Sequence, residues 1–134
     1  MIDENTKKQL IQEALEARRK AYVPYSKYPV GAALLCKSGK VYQGANIENA
    51  AFPVTVCAER VAIFKAVSEG DMGLDTIAVV TKNGGTPCGS CRQVMAEFNP
   101  ELIVIIADEQ GEIKQETTLK EILPGYFGPA SLVE

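Results

Sequence analysis

Four cysteines, at positions 36, 57, 88 and 91, and no histidine set the chemistry open to this chain of 134 residues. Without imidazole there can be no Ser-His-Asp or Cys-His nucleophile and no histidine metal ligand. Acid–base work near neutral pH falls to a carboxylate, thiol, lysine or tyrosine. A transition-metal site has to be built mainly from cysteine sulfur. Three of the four cysteines stand in a pattern, Cys57-Ala58-Glu59 and then Pro87-Cys88-Gly89-Ser90-Cys91. Three thiolates bind zinc at about 2.3 Å each and leave the fourth tetrahedral position open. Water in that position has its pKa lowered to roughly 7. Glu59, two residues from one sulfur, is then placed as a proton shuttle rather than a ligand. Three thiolates and Zn²⁺ carry one net negative charge, which weakens the metal as a Lewis acid. Arg60 and Arg92 are the cations at hand to draw that charge off the sulfurs.

Both cysteine groups are predicted at the start of a helix, one from near residue 57 to 70 and one from about 88 to 98. Helix starts present unpaired N–H groups and a partial positive charge, which favour the thiolate form. Cys88 and Cys91, three apart, share one face of a first turn. Side chains there lean back toward the N-terminus, so Cys57 can reach a metal while Glu59 reaches the space beside it.

The remaining elements follow from periodicity and turn residues. Residues 6–22 read as a first helix, with Thr6 and Gln9 as a capping box, an apolar stripe through Leu10, Ile11, Ala14 and Leu15, and Pro24 beyond its end. Residues 30–36 and 41–45 read as strands of a hairpin closed at Lys37-Ser38-Gly39-Lys40. Residues 76–81 and 102–107 are nearly all apolar, as buried central strands are. Residues 112–116 form a polar edge strand, and 119–123 a last short helix. Strands interspersed with helices give one α/β domain spanning 1–134.

Composition removes other classes. Lys plus Arg is 14 and Asp plus Glu is 17, a net charge of -3, without the basic excess of a free-standing nucleic-acid binder. No apolar run approaches the 18 or so residues that span a bilayer, and the charged first residues do not begin a secretory signal. A reducing cytoplasm is the expected compartment, where clustered cysteines suggest metal or redox chemistry. Plainer readings of the same residues stand beside these. Cys88 and Cys91 also have the spacing of a redox pair, and a purely structural zinc site would need a fourth ligand, for which Cys36, at the end of an apolar strand, is the spare thiol. Asn46–Asn49 suits a turn, and Phe127 a core or an interface.

Cys57-x-Glu59…Pro87-Cys88-x-x-Cys91 is the all-cysteine form of the zinc-deaminase signature. With Tyr25-Ser26-Lys27-Tyr28-Pro29-Val30-Gly31-Ala32-Ala33, Asn46-Ile47-Glu48-Asn49, Arg92-Gln93 and Leu123-Pro124-Gly125-Tyr126-Phe127, the chain resembles the small cytidine deaminases of pyrimidine salvage from about residue 6 to 132. The resemblance implies a three-layer α/β/α fold with a five-stranded mixed sheet, one Zn²⁺ per subunit, and a cytoplasmic homotetramer whose active sites are shared between subunits. It implies hydrolytic loss of the 4-amino group from cytidine or 2′-deoxycytidine, a free nucleoside rather than nucleic acid. Cys57, Cys88 and Cys91 would hold the metal. Glu59 would move protons from water to ring N3 and to the departing amine. Asn46 and Glu48 would hold the ribose, Ala58 would offer its N–H to the base carbonyl, and Phe127 would stack on the base from another subunit. Arg60 best matches an arginine set against the ligand sulfurs. Tyr28 stands on the ribose side where the family often has Phe. Relatives acting on cytosine-containing antibiotics lack the Asn-x-Glu-Asn segment present here.

Overall fold

A computed structural model describes residues 2–132. Helix α1 (Glu4–Arg18) is followed by β1 (Gly31–Cys36) and β2 (Val41–Ala45). After a single 3-10 turn at Phe52–Val54 come α2 (Ala58–Ser68), β3 (Leu74–Val80) and α3 (Gly89–Phe98). The chain continues with β4 (Ile103–Ala107), β5 (Ile113–Thr118), α4 (Leu119–Ile122) and a 3-10 turn at Pro129–Leu132. The five strands form one sheet in the order β2-β1-β3-β4-β5. β3 and β4 are parallel, and the other neighbours are antiparallel. The sheet is therefore mixed, as the resemblance implies.

Alternation along the strands sorts side chains onto two faces. Ala33, Ala78, Val80, Ile105 and Ala107 meet Leu10, Ile11 and Ala14 of α1 on one side. Ala32, Leu34, Ile77, Val79, Val104 and Ile106 meet α2, α3 and Leu119 of α4 on the other. This makes three layers. β3 is covered on both faces, which is why its sequence is a nearly unbroken apolar run. β5 carries Lys114, Gln115 and Glu116 exposed at the sheet edge.

One contact places the site directly. A Cβ on Gly44 of β2 would collide with the carbonyl oxygen of Ala58 and lie 2.6 Å from the N–H nitrogen of Ala62. Only glycine lets the first turn of α2, which follows Cys57, press this closely onto the sheet. Gly44→Ala should lower the unfolding free energy by about 1–3 kcal/mol, the usual cost of overpacking. Denaturant titration checks this, and an unchanged midpoint would contradict the packing account.

The first helix departs from the sequence reading. Its N-cap is Asp3, whose Oδ1 accepts the Thr6 N–H at 2.8 Å, so the predicted Thr6–Gln9 box is not the cap. It ends at Arg18 rather than 22 because the chain turns to pair elsewhere. The Tyr22 N–H donates to Asn46 O and the Tyr22 carbonyl accepts from the Glu48 N–H, each at 2.9 Å. That pairing is also what holds the Asn46–Glu48 loop in place. Among the described residues no helix is long and apolar enough to cross a membrane.

Candidate active site

Cys57 and Cys88 are the N-cap residues of α2 and α3, with extended backbones (ψ 154° and 169°), and neither side chain caps its own helix. Their sulfurs are left free to face each other. Cys57 Sγ lies 3.8 Å from Cys88 Sγ, and Cys88 Sγ lies 3.6 Å from Cys91 Sγ. All three sulfurs fall within 4.8 Å of one another. Tetrahedral zinc with 2.3 Å bonds requires sulfurs about 3.8 Å apart, so the group fits that ion. Cys36 is a buried core thiol at the end of β1, outside this cluster. Its distance from the three sulfurs keeps it from supplying a fourth ligand, and burial with the neighbouring Asp71 carboxylate pushes its thiol up to about 11.

Glu59 is 96% hidden from solvent yet lies in the wall of a cavity of about 200 Å³ beside Cys57 and Cys88. Burial raises its carboxyl to about 7. Arg60 Nη2 donates to Cys57 Sγ at 3.3 Å. Cys57 is thereby lowered, by a hydrogen bond from the Cys91 thiol first and by the guanidinium next. Cys91 is raised because it donates to Cys57 and is buried. Arg92 is placed differently from the expectation that it faces the sulfurs. Its guanidinium donates to Pro87 O (2.8 Å), Ile122 O (2.6 Å) and Thr86 Oγ1 (3.2 Å). It ties the loop before Cys88 to α4.

The cavity opens beyond the carboxyl end of β3, where ligands of open α/β sheets bind. Tyr28, Asn46, Ala58, Thr81, Gly85 and Thr86 share its wall. Asn46 Oδ1 accepts the Val30 N–H at 2.9 Å and its Nδ2 donates to Tyr28 O at 3.0 Å, which fixes the amide and leaves one N–H to spare. Glu48 lines an adjoining hollow and shares Thr55 with the cavity. Its Oε1 accepts the Tyr25 and Ser26 N–H groups at 3.0 and 3.1 Å. Ala58 opens α2, where first-turn N–H groups lack helical partners. Phe127 is exposed and lies outside its own chain's cavity wall. Sequence reasoning missed Asn83, Gly85 and Thr81. Asn83-Gly84-Gly85 reads as turn punctuation, and nothing local shows that a tyrosine 55 residues away reaches it.

Hydrogen bonds, that of Ser26 foremost, hold Glu48 below its ordinary value near 4.5. A carboxyl with a lowered folded pKa adds stability that is fully present above its unfolded value and is lost as pH falls through the folded one. The stability gap between the parent and Glu48→Gln should therefore close below about pH 4.5. Unfolding curves at stepped pH check this, and a gap independent of pH would contradict it.

Residues 4–107 match the cytidine and deoxycytidylate deaminase zinc-binding region. The chain is 52% identical over 126 residues to a cytidine deaminase of Sporosarcina psychrophila, covering 92% of each chain. It is 57% identical over 121 residues to one of Halalkalibacterium halodurans, covering 88% of this chain and 91% of that one. A crystal structure of cytidine deaminase from Burkholderia pseudomallei superposes with a TM-score of 0.86 at 41% identity, over 94% of this chain and all of that one. The chain belongs to the zinc-binding cytidine and deoxycytidylate deaminase family. It is an enzyme of that family and its cofactor is zinc, for which the Cys57, Cys88 and Cys91 sulfurs are positioned.

Proposed function

We propose that this chain, a single deaminase domain, converts cytidine and 2′-deoxycytidine to the corresponding uridines with release of ammonia, in cytoplasmic pyrimidine salvage. The observation that carries the reading is a buried carboxylate, Glu59, beside three sulfurs that have no fourth protein ligand among the described residues. A structural zinc site would be closed and would have no use for that carboxylate.

Cys57, Cys88 and Cys91 would hold the zinc, which would supply the Lewis acidity that brings water's pKa to roughly 7. Glu59 takes a proton from the attacking water and delivers one to ring N3 as the water oxygen bonds to C4. It then takes the second proton from the oxygen now on C4 and passes it to the 4-amino nitrogen as the C4–N bond breaks, which leaves a C4 carbonyl, so one water enters and one ammonia leaves. A carboxylate closed off from solvent in the cavity wall can take up the proton and return it without losing it to bulk water. The Ala58 N–H donates to the base carbonyl. Asn46, with one N–H to spare, and Glu48, with free lone pairs, suit sugar hydroxyls that both donate and accept. Arg60 draws charge off Cys57.

Phe127, exposed and away from its own cavity, suits a ring contributed to a neighbouring subunit of a homotetramer. Exposed Phe52, Val54 and Ile47 give such an assembly apolar surface to cover. A panel of cytidine, 2′-deoxycytidine, a cytosine-containing antibiotic and a single-stranded oligonucleotide tests the reading by ammonia release. The two free nucleosides should be preferred. Release from the oligonucleotide or antibiotic alone would overturn it.

A further inference from the structure

The Tyr28 hydroxyl donates to Asn83 Oδ1 at 2.6 Å. This bond joins two loops that are far apart in sequence and that both wall the cavity. One runs from Ser26 to Val30. The other runs from Thr81 to Thr86, between β3 and the Cys88 helix start. Each end of the link is braced. The Tyr28 carbonyl is held by the Asn46 amide. The Thr81–Thr86 loop is closed on itself by the Gly85 N–H, which donates to Thr81 Oγ1 at 2.8 Å. The ring tip also packs on a position with no side chain, since a Cβ on Gly85 would come within 3.2 Å of the Tyr28 oxygen. Lys27 turns the chain into Tyr28 through a left-handed backbone (φ 59°), a conformation rare for a side-chain-bearing residue. The phenol thus connects the amide proposed to hold the sugar with the loop that leads to a metal ligand.

We propose that Tyr28 and Asn83 form a clasp that fixes the width of the cavity on its sugar side, making Asn83 a positioning residue that restricts bulk on the ribose. The inference rests on the nucleoside reading above. Phenylalanine at 28 would keep the ring and lose the clasp, and alanine at 83 would remove the acceptor.

Steady-state kinetics on cytidine and 2′-O-methylcytidine test it, with parent, Tyr28→Phe, Asn83→Ala, the double variant and Asn83→Asp. Loss of one neutral hydrogen bond should raise KM for cytidine about two- to tenfold, with a smaller fall in kcat. Relative kcat/KM for the methylated nucleoside should rise in both single variants. The double variant should be no worse than either single one, because both remove the same bond. Asn83→Asp keeps an acceptor and should recover most of the loss. A lower Tm with unchanged KM and unchanged substrate ratio would make the bond a structural tie and overturn the proposal, as would additive effects. A parent that does not turn over cytidine would reject the deaminase reading itself. A fully active parent with indifferent variants would reject the clasp alone.

Discussion

Glu59→Gln should lower kcat for cytidine by at least the ~10²–10⁴ usual for general acid–base catalysis, with zinc content unchanged. Glutamine keeps the shape of the side chain and removes only its ability to exchange a proton. The retained metal follows from the geometry. The ligand group is made of the Cys57, Cys88 and Cys91 sulfurs, and Glu59 is outside it. Stability should hold as well. A buried carboxylate with its pKa raised to about 7 is costly to ionise, and a neutral amide of equal size avoids that cost. Kinetics and metal analysis on the same preparation check the result. Zinc lost together with activity would show Glu59 to be a ligand and contradict the shuttle.

Cys91→Ser should remove zinc and turnover together. Cys91 is fully buried at the third position of α3, with its sulfur 3.6 Å from that of Cys88. Its loss leaves two sulfurs to hold the ion. Removing a partner that merely supports a metal ligand costs about 10–100-fold in affinity or activity, so losing a ligand should cost more. Stability should follow the metal. An ion present at 1,000 times its Kd adds about 4.1 kcal/mol to the folded state, and the variant should forfeit most of that zinc-dependent gain. Thermal unfolding with and without a chelator measures it. A chelator that lowers Tm equally in parent and variant would contradict the assignment.

The chemistry was more legible in the sequence than its supports were. Cys57 and Cys88 are predicted at helix starts from the sequence, and both are N-caps. The apolar run of β3 announced a strand covered on both faces. The end of α1 was not legible, because Tyr22 leaves the helix to pair with the Asn46–Glu48 loop, a contact set by tertiary packing. Its start lies before residue 6, because the Asp3 carboxylate accepts the Thr6 N–H and the helix begins at Glu4. A capping box does occur, at Thr118 and Glu121 of α4.

Around the site, the contact of Arg60 with Cys57 Sγ is the one the family resemblance implies. The Arg92 guanidinium instead reaches Ile122, 30 residues on, which no local pattern encodes. Tyr28 and Asn83 were separately visible as an aromatic and a turn residue. Only the fold makes them partners.

The most direct measurement is the fall in ultraviolet absorbance as purified, zinc-loaded protein converts cytidine to uridine, with Glu59→Gln run beside it. Steady turnover by the parent and almost none by the zinc-replete variant is the expected result. A folded, zinc-loaded parent that leaves cytidine untouched would contradict the account at its centre.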